Sequence, residues 1–435
     1  MVEARMVDQF PPAQDLRSVK SHASKGGNIH LEEAMARSSS FISAALMLVV
    51  LSVSAAAEDA SPGVTAKEIK VGATFPFSGP ASQLGNTGKS LSAYISMIND
   101  RGGINGRTVK LITLDDGFSP PKAVEQVRRL VESEEVAVII GSLGTSTNTA
   151  TAKYLNAKKV PSLFIVAGAT KFENYKDYPY TTTGLPSYNT EGKMYAKYLT
   201  ETAPNAKVAI LYQNDDLGKD FVLAFKEYLK DDFEKRVVTA SYEVSEPTID
   251  SQIVKLRGAG AEALLVAGTP KFAAQALRRA SEIDWHPIRI VNHISGSIPA
   301  LRLAGLDKAV GVVTAAYSKS PSDPAWRDDE GMKWYRTFFE KYLPGSDFED
   351  GSYLTGANEG MLLEQVLKQC GDDLSRENIT RQARNLHDFI LPTALPGIKI
   401  NTSETNNRAW TQLQLQRWDG ARWERFGSVL NVDSH

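Results

Sequence analysis

Cysteine is almost absent from this sequence, which has a single one, Cys370, among 435 residues. One cysteine cannot form an intrachain disulfide framework and cannot supply a zinc ribbon. A surplus of one charge is also missing, because 49 Lys and Arg residues face 51 Asp and Glu residues and the formal net charge is −2. This balance argues against a dedicated nucleic-acid-binding protein. A hydrophobic share of 42% and a chain of this length indicate a globular protein of two or three domains.

A hydrophobic run long enough to cross a membrane is missing as well. The apolar run at residues 41–53 has thirteen residues, whereas a transmembrane helix needs about 20. Arg37 precedes the run and three alanines at 55–57 follow it, which is the pattern of a secretory signal peptide and its cleavage site. We interpret residues 1–57 as an upstream extension plus a removed signal peptide, with Met1 or Met35 as the start. The alternative is a buried helix at the start of the fold.

Cleavage after the alanines predicts a mature chain that begins at Glu58 and is exported to the periplasm. No cysteine stands at that site, so a lipid anchor there is excluded.

Motifs of common enzymes are missing too. No G-x-G-x-x-G turn follows the first predicted strand, and the sequence has no G-x-S-x-G or His-Glu-x-x-His motif. His286 and His293 are seven residues apart with Pro287 between them, which is poor geometry for a shared metal. We therefore predict no catalytic residue, no metal site and no cofactor. A secreted α/β enzyme remains the weaker alternative.

The sequence does contain short runs rich in Val and Ile that alternate with amphipathic segments. Strands are predicted at residues 68–74, 108–115, 136–141, 161–166, 207–213, 236–243, 261–267, 287–292 and 311–315. Helices are predicted at 88–100, 122–131, 217–228 and 271–283. Strands separated by helices of about 10–15 residues predict βαβ units and parallel sheets. The pattern restarts near residue 207, so the sequence predicts an α/β fold with two lobes.

Two breaks in this pattern indicate where the lobes meet. Residues 181–188 are polar and interrupted by Gly184 and Pro186, and residues 317–324 form the second break. Beyond them, helices are predicted at 324–342 and 353–370, and strands at 398–400 and 409–417. We assign residues 66–184 and 318–395 to lobe 1, and residues 185–317 and 396–435 to lobe 2. The chain then crosses between the lobes more than once, which predicts a multi-strand hinge.

Several motifs carry a resemblance to a known family. They stand at residues 70–88 (KVGATFPFSGPASQLGNTG), 102–107 (GGINGR), 115–130 (DDGFSPPKAVEQVRRL), 141–150 (GSLGTSTNTA), 167–170 (AGAT), 374–380 (LSRENIT), 395–403 (LPGIKINTS) and 418–427 (WDGARWERFG). In order and spacing they resemble the leucine/isoleucine/valine-binding protein family, whose members are periplasmic solute receptors of ATP-driven importers. The resemblance covers nearly all of the mature chain. It implies the type I periplasmic-binding-protein fold, in which two Rossmann-like lobes have parallel central sheets.

The loop after the third predicted strand has the chemistry of an anion site. Ser142 and Thr145 lie between an apolar strand and a predicted helix, where unpaired N–H groups and hydroxyls can bind a carboxylate. The alternative is that one hydroxyl only caps the helix. The resemblance implies that Thr145 and Thr170 hold the ligand carboxylate and that Gly168 offers a backbone carbonyl. It also places Leu84 where relatives have an aromatic residue over the ligand.

Lobe 2 departs from the family pattern for amino acids. The resemblance places Leu217 where relatives often have Tyr, and residues 292–295 (NHIS) replace the segment that supplies a Glu to the ligand ammonium. Leu217, Thr269, Ile294 and Ser295 are its predicted ligand residues, and Tyr188, His293 and Tyr317 are further candidates. A buried ammonium without a carboxylate partner is costly, so we predict that a des-amino acid binds better than its α-amino counterpart.

These observations together predict a solute-binding protein of an ABC importer. Its partners would be a small-molecule carboxylate, either an amino acid or an aromatic or other organic acid, and an inner-membrane permease, with no nucleic acid. Hinge closure on the ligand is the predicted mechanism, and a monomer is expected. A receptor that reports to a membrane sensor is the alternative that the sequence does not separate from transport.

Overall fold

The computed structural model describes residues 61–431. The predicted extension and signal peptide at residues 1–57 lie outside the described residues. The first sheet has the order β2-β1-β3-β4-β5, and all of its strands are parallel. Its strands are β1 (Glu68–Phe75), β2 (Thr108–Asp115), β3 (Val138–Ile140), β4 (Ser162–Ile165) and β5 (Thr181–Thr183).

The second sheet has the order β12-β11-β10-β9-β8-β6-β7. Its strands are β6 (Val208–Gln213), β7 (Val237–Tyr242), β8 (Ala263–Ala267), β9 (Ile288–Val291), β10 (Val313–Ala316), β11 (Gln412–Trp418) and β12 (Trp423–Asn431). Strands β6 to β10 are parallel, whereas β11 and β12 form an antiparallel hairpin beside β10. The second sheet therefore has the predicted parallel strands at its centre and an antiparallel hairpin at one edge.

Helices cover the faces of both sheets. They are α1 (Asn86–Asp100), α2 (Pro120–Arg128), α3 (Thr145–Ala157), α4 (Tyr188–Thr202), α5 (Asp216–Leu229), α6 (Phe233–Arg236), α7 (Asp250–Gly258), α8 (Pro270–Glu282), α9 (Ile298–Ala304), α10 (Glu330–Tyr342), α11 (Gly351–Cys370) and α12 (Arg376–Ala383). The central strands bury their Val, Ile and Leu side chains almost completely. Burial on both faces is what a parallel sheet between helix layers requires.

The chain returns to the first sheet after it has built most of the second. Helix α11 packs against α1, and the contact is so close that a Cβ at Gly356 would lie 2.1 Å from the Thr87 carbonyl oxygen. The chain then passes back to supply β11 and β12. Where it crosses, backbone hydrogen bonds join Leu395 to Tyr317 and Ala409 to Thr183. Several neighbouring segments of the chain thus connect the two sheets.

Three local predictions were wrong. The predicted strand at 398–400 forms only an isolated bridge between Ile400 and Phe389. The helix predicted from 324 begins at Glu330, because the Asp329 side chain accepts a hydrogen bond from the Met332 N–H and caps it there. The predicted break at 181–188 opens with β5, whose threonines are buried.

Candidate functional site

A cavity lies between the two sheets, at the carboxyl ends of their parallel strands. Thr145 comes just after β3, Val166 just after β4, Thr269 just after β8 and His293 just after β9, and all four line it. Open α/β sheets bind ligands at this edge, because the loops that follow the strands converge there. The cavity is therefore the candidate ligand site.

Most of the residues singled out in the sequence meet in this cavity. Its lining includes Leu84, Thr145, Tyr188, Leu217, Thr269, His293, Ile294 and Tyr317. These residues belong to loops and helices of both lobes, so a ligand in the cavity would contact both lobes. Their role in ligand binding stays a prediction until a ligand is measured.

Ser142 and Ser295 do not line the cavity. The Ser142 hydroxyl accepts a hydrogen bond from the Thr74 N–H at 3.1 Å, and the Ser295 hydroxyl donates to the Gly268 carbonyl at 2.7 Å. Both hydroxyls thus bind the backbone of a neighbouring strand end. This arrangement fits a role in holding the loops rather than a ligand.

Gly168 and Thr170 also lie outside the lining. The Gly168 carbonyl accepts the Tyr188 N–H at 2.9 Å, so that oxygen already has a partner at the start of α4. The Thr170 N–H donates to Asp220 on α5 at 2.7 Å. Gly168 and Thr170 thus contact residues of lobe 2, and the ligand contacts that the resemblance implied for them stay a prediction.

The N-terminus of α3 forms the polar end of the cavity. No side chain caps this helix, and Gly144 before it has a φ of 113°, which only glycine adopts readily. The Thr145 hydroxyl lies 3.2 Å from the Tyr188 hydroxyl. Burial raises the pKa of Tyr188 far above its ordinary value, so its hydroxyl keeps its proton at neutral pH. This end therefore offers hydrogen-bond donors and the positive end of a helix dipole.

Replacing Thr145 by Ala should weaken binding of a carboxylate ligand by about 1.5–3 kcal/mol, the usual worth of a hydrogen bond to a charged group. Folding should change little, because the lost hydroxyl faces the cavity. Isothermal calorimetry on the wild type and the variant measures the difference. Equal affinities would remove Thr145 from the anion site.

The acidic residues nearest to Leu217 in the chain have partners within the protein. Asp215 caps α5 by accepting the Leu217 and Gly218 N–H groups at 3.0 and 3.4 Å. Asp216 is bound by Lys171. None of these carboxylates lines the described cavity.

Glu349 is the carboxylate of the described residues that does line the cavity, and it forms an ion pair with Arg302. Glu282 lies outside the lining and pairs with Arg279 at 3.3 Å. The cavity thus offers a ligand ammonium no unpaired carboxylate among residues 61–431.

Sequence reasoning missed Glu191, which lies behind His293. Its side chain is fully buried on α4, and its Oε2 lies 2.6 Å from His293 Nδ1. In the sequence Glu191 is an acidic residue in the first turn of a helix, which is common on helix surfaces. No local signal distinguishes it, because its partner is about a hundred residues away in the chain.

The two lobes also touch directly beside the cavity. Lys171, in the loop after β4, forms an ion pair with Asp216 on α5 at 2.9 Å, and the Thr149 hydroxyl of α3 donates to the same carboxylate at 2.9 Å. We call these contacts, together with the Thr170–Asp220 hydrogen bond, the cross-lobe bridge. It joins residues of the two lobes in this structure.

Asp220 should make closure depend on pH. Burial raises the pKa of Asp220 to about 6 from an ordinary value of 3.8, and the charges of Asp216 and Glu173 add to the effect. If opening the lobes exposes the carboxyl and restores its ordinary pKa, closure is favoured while Asp220 is protonated. That contribution is complete below about pH 4 and is lost as the pH rises through about 6.

Asp220→Asn should therefore bind ligand about tenfold more tightly than the wild type at pH 7.5, and similarly at pH 4. One unit of pKa shift is worth about a factor of ten, and we count about half of the shift because the carboxyl keeps some contact with water. The ratio of the two affinities, measured at both pH values, isolates this carboxyl from other titrating groups. Asp231→Asn on the exposed surface of the same lobe is the control. A ratio that does not change with pH would contradict the assignment.

Within residues 61–431, no helix combines the length and apolar character needed to span a bilayer. The same part of the chain has no group of three or more His, Cys, Asp or Glu side chains placed to hold a metal ion.

Comparison with known proteins identifies the family. A family model described as periplasmic binding protein matches residues 68–422. The Leu/Ile/Val-binding protein homolog 7 of Brucella abortus is 28% identical over 390 residues, which cover 86% of this chain and 94% of that protein. These relatives are binding proteins rather than enzymes, as the sequence predicted.

Solved structures with low identity share the fold. A branched-chain amino acid ABC transporter protein from Thermus thermophilus with bound valine has a TM-score of 0.76 at 16% identity, with 85% of this chain and 97% of that chain covered. A fatty acid ABC transporter substrate-binding protein from Thermomonospora curvata has a TM-score of 0.73 at 19% identity, with 86% and 96% covered. The predicted type I fold of two α/β lobes is confirmed. Because the family model matches most of its length, this chain belongs to the periplasmic binding protein family.

Proposed function

We propose that this protein is the solute receptor of an ABC importer of the branched-chain amino acid type and that it closes its lobes around a small carboxylate with an apolar body. The observation that carries the proposal is the cavity between the sheets, which is lined by residues of both lobes and has hydrogen-bond donors at the α3 N-terminus. A ligand that touches both lobes shifts the protein toward the closed form.

The walls of the cavity support a ligand with an apolar body. Leu84, Phe118 and Leu143 line it from lobe 1, and Leu217 and Ile298 line it from lobe 2. The relatives named above differ in what their names say they bind, with valine and fatty acid among them. All of these are carboxylates with an aliphatic part, so the shared chemistry supports the proposed ligand class.

The proposal includes location and partners. We propose export to the periplasm through a signal peptide within residues 1–57, a location that agrees with the family to which the chain belongs. We propose lobe 1 as residues 66–184 and 318–395 and lobe 2 as residues 185–317 and 396–435. An inner-membrane permease would recognise the closed monomer.

A thermal-shift screen followed by calorimetry tests this function. Amino acids, aliphatic acids and aromatic acids form the panel, and at least one carboxylate should raise the melting temperature and bind with a measurable heat. Leu217→Trp should weaken that binding at least tenfold, because the larger side chain fills the cavity. Leu223→Trp, at a position 44% exposed on the same helix, is the matched control and should bind normally. A panel in which no carboxylate binds would contradict the proposal.

A further inference from the structure

His293 and Glu191 form a buried pair whose geometry fixes the imidazole. Glu191 Oε2 lies 2.6 Å from His293 Nδ1, and Oε1 accepts the backbone N–H of His293 at 2.6 Å. The Tyr195 hydroxyl donates to the same Oε1 at 2.5 Å. Side-chain exposure is 0% for Glu191 and 5% for His293. Two donors, the His293 N–H and the Tyr195 hydroxyl, therefore hold Glu191 Oε1, and Oε2 holds one side of the ring.

The other side of the ring has no partner in the protein. His293 Nε2 is buried and makes no hydrogen bond, although His293 lines the cavity. The ring lies between two aromatic walls, with Tyr188 at 6.4 Å and Tyr317 at 5.7 Å between centroids. Buried polar atoms in native proteins almost always have a partner. A buried ring nitrogen without a partner, on a residue that lines the cavity, thus indicates that the hydrogen-bond partner of Nε2 is the ligand.

Proton counting decides what Nε2 offers to that ligand. If the pair has no net charge, the proton between Nδ1 and Oε2 can belong to either atom, and Nε2 carries a hydrogen in both cases. If the pair carries a net charge of −1, Nε2 presents a lone pair. A ligand carboxylate has only acceptor oxygens, so its binding at Nε2 requires the state in which Nε2 is a donor.

Tyr188 connects His293 with the donors of lobe 1. Tyr188, whose ring neighbours His293, also has its hydroxyl 3.2 Å from that of Thr145 at the start of α3. The uncapped N–H groups of α3, the two hydroxyls and His293 Nε2 thus surround one region with donors from both lobes.

We propose that His293, positioned by Glu191, is the lobe 2 half of a carboxylate clamp whose lobe 1 half is Thr145 and the N-terminus of α3. The same ligand carboxylate then accepts hydrogen bonds from both lobes. The ligand class is a monocarboxylate without an α-ammonium group. This inference rests on the proposed function, because it needs a ligand that enters the cavity. It differs from the family resemblance, which placed a carboxylate that binds an ammonium at this point of lobe 2.

The test compares an acid with its neutral amide. We would titrate 3-phenylpropanoate and 3-phenylpropanamide, and as a second pair 4-methylpentanoate and 4-methylpentanamide, into the wild type and His293→Gln. The wild type should prefer the acid. His293→Gln should weaken acid binding by about 10- to 100-fold and change amide binding by less than about threefold. The matched control is His286→Gln, since that histidine is exposed and lies outside the cavity.

Glu191→Gln tests the positioning role. It should lower the ratio of acid to amide affinity, whereas a merely structural effect would lower the melting temperature and leave that ratio unchanged. If His293→Gln does not fold, His293→Asn provides the same comparison. Acid binding that is unchanged in the His293 variant, or acid and amide binding that fall together, would overturn the clamp and leave the proposed function standing. A wild type that binds no carboxylate of the wider panel, amino acids included, would instead contradict the proposed function, and the clamp would fall with it.

Discussion

4-Methylpentanoate should bind this protein about thirty to a thousand times more tightly than leucine. The two molecules differ only in the α-ammonium group, and in the closed cavity that group would lack a carboxylate partner. Asp215 caps α5, Asp216 is in the cross-lobe bridge and Glu349 is paired with Arg302. Hydroxyls and carbonyls would solvate the ammonium in part, which leaves a deficit of about 2–4 kcal/mol.

Calorimetric titration of both compounds measures this preference directly. Phenylalanine and 3-phenylpropanoate form a second pair of the same design with an aromatic body. The expected order is the same in both pairs, because the difference lies in the ammonium group and not in the side chain. Micromolar or tighter binding of leucine, with no detectable binding of 4-methylpentanoate, would contradict the prediction and restore an ordinary amino acid as ligand.

Trp410→Ala should lower the free energy of unfolding by about 3–5 kcal/mol, the usual cost of removing a buried aromatic side chain. Trp410 is 1% exposed, and its ring lies 4.6 Å from that of Tyr317 between centroids. Its neighbour Ala409 donates a backbone hydrogen bond to Thr183 of β5. The indole therefore fills the core where the chain crosses between the sheets, and it supports a wall of the cavity.

Urea unfolding followed by circular dichroism measures the change in stability. Ile390→Ala, at a position 59% exposed, is the control and should stay within about 0.5 kcal/mol of the wild type. A loss of less than 1 kcal/mol in Trp410→Ala would mean that the crossing segments do not depend on this side chain.

Local sequence patterns predicted much of the fold. The strand predicted at 108–115 matches β2, Thr108–Asp115, because its alternation and its flanking turns are visible in the sequence itself. The order of strands and the antiparallel hairpin of β11 and β12 were not predicted in this way, since pairing joins residues far apart in the chain. The polar segment at 181–188 begins with the buried strand β5, where the Thr181 hydroxyl accepts a hydrogen bond from the Asn156 side chain and the Thr182 hydroxyl accepts one from the Phe164 N–H.

The site was predictable where motif and geometry coincide. Thr145 lines the cavity because a strand end followed by a helix start has the same geometry throughout open α/β sheets. The Ser142 hydroxyl, in the same loop, instead accepts a hydrogen bond from the Thr74 N–H. The sequence does not distinguish a hydroxyl that lines the cavity from one that binds the backbone. Glu191 could not be found, because its partner His293 reaches it only through the packing of α4 against the loop after β9.

Closure on a carboxylate is the central claim, and a distance measured across the cleft tests it most directly. Lys153 on α3 is exposed one turn beyond Thr149, and Lys219 on α5 is exposed between Asp216 and Asp220 of the cross-lobe bridge. Spin labels at Lys153→Cys and Lys219→Cys would report the separation of the lobes by pulsed electron paramagnetic resonance. Saturating 4-methylpentanoate should shift the distance distribution to a single shorter population. A distribution that stays the same when a carboxylate is bound would contradict the account.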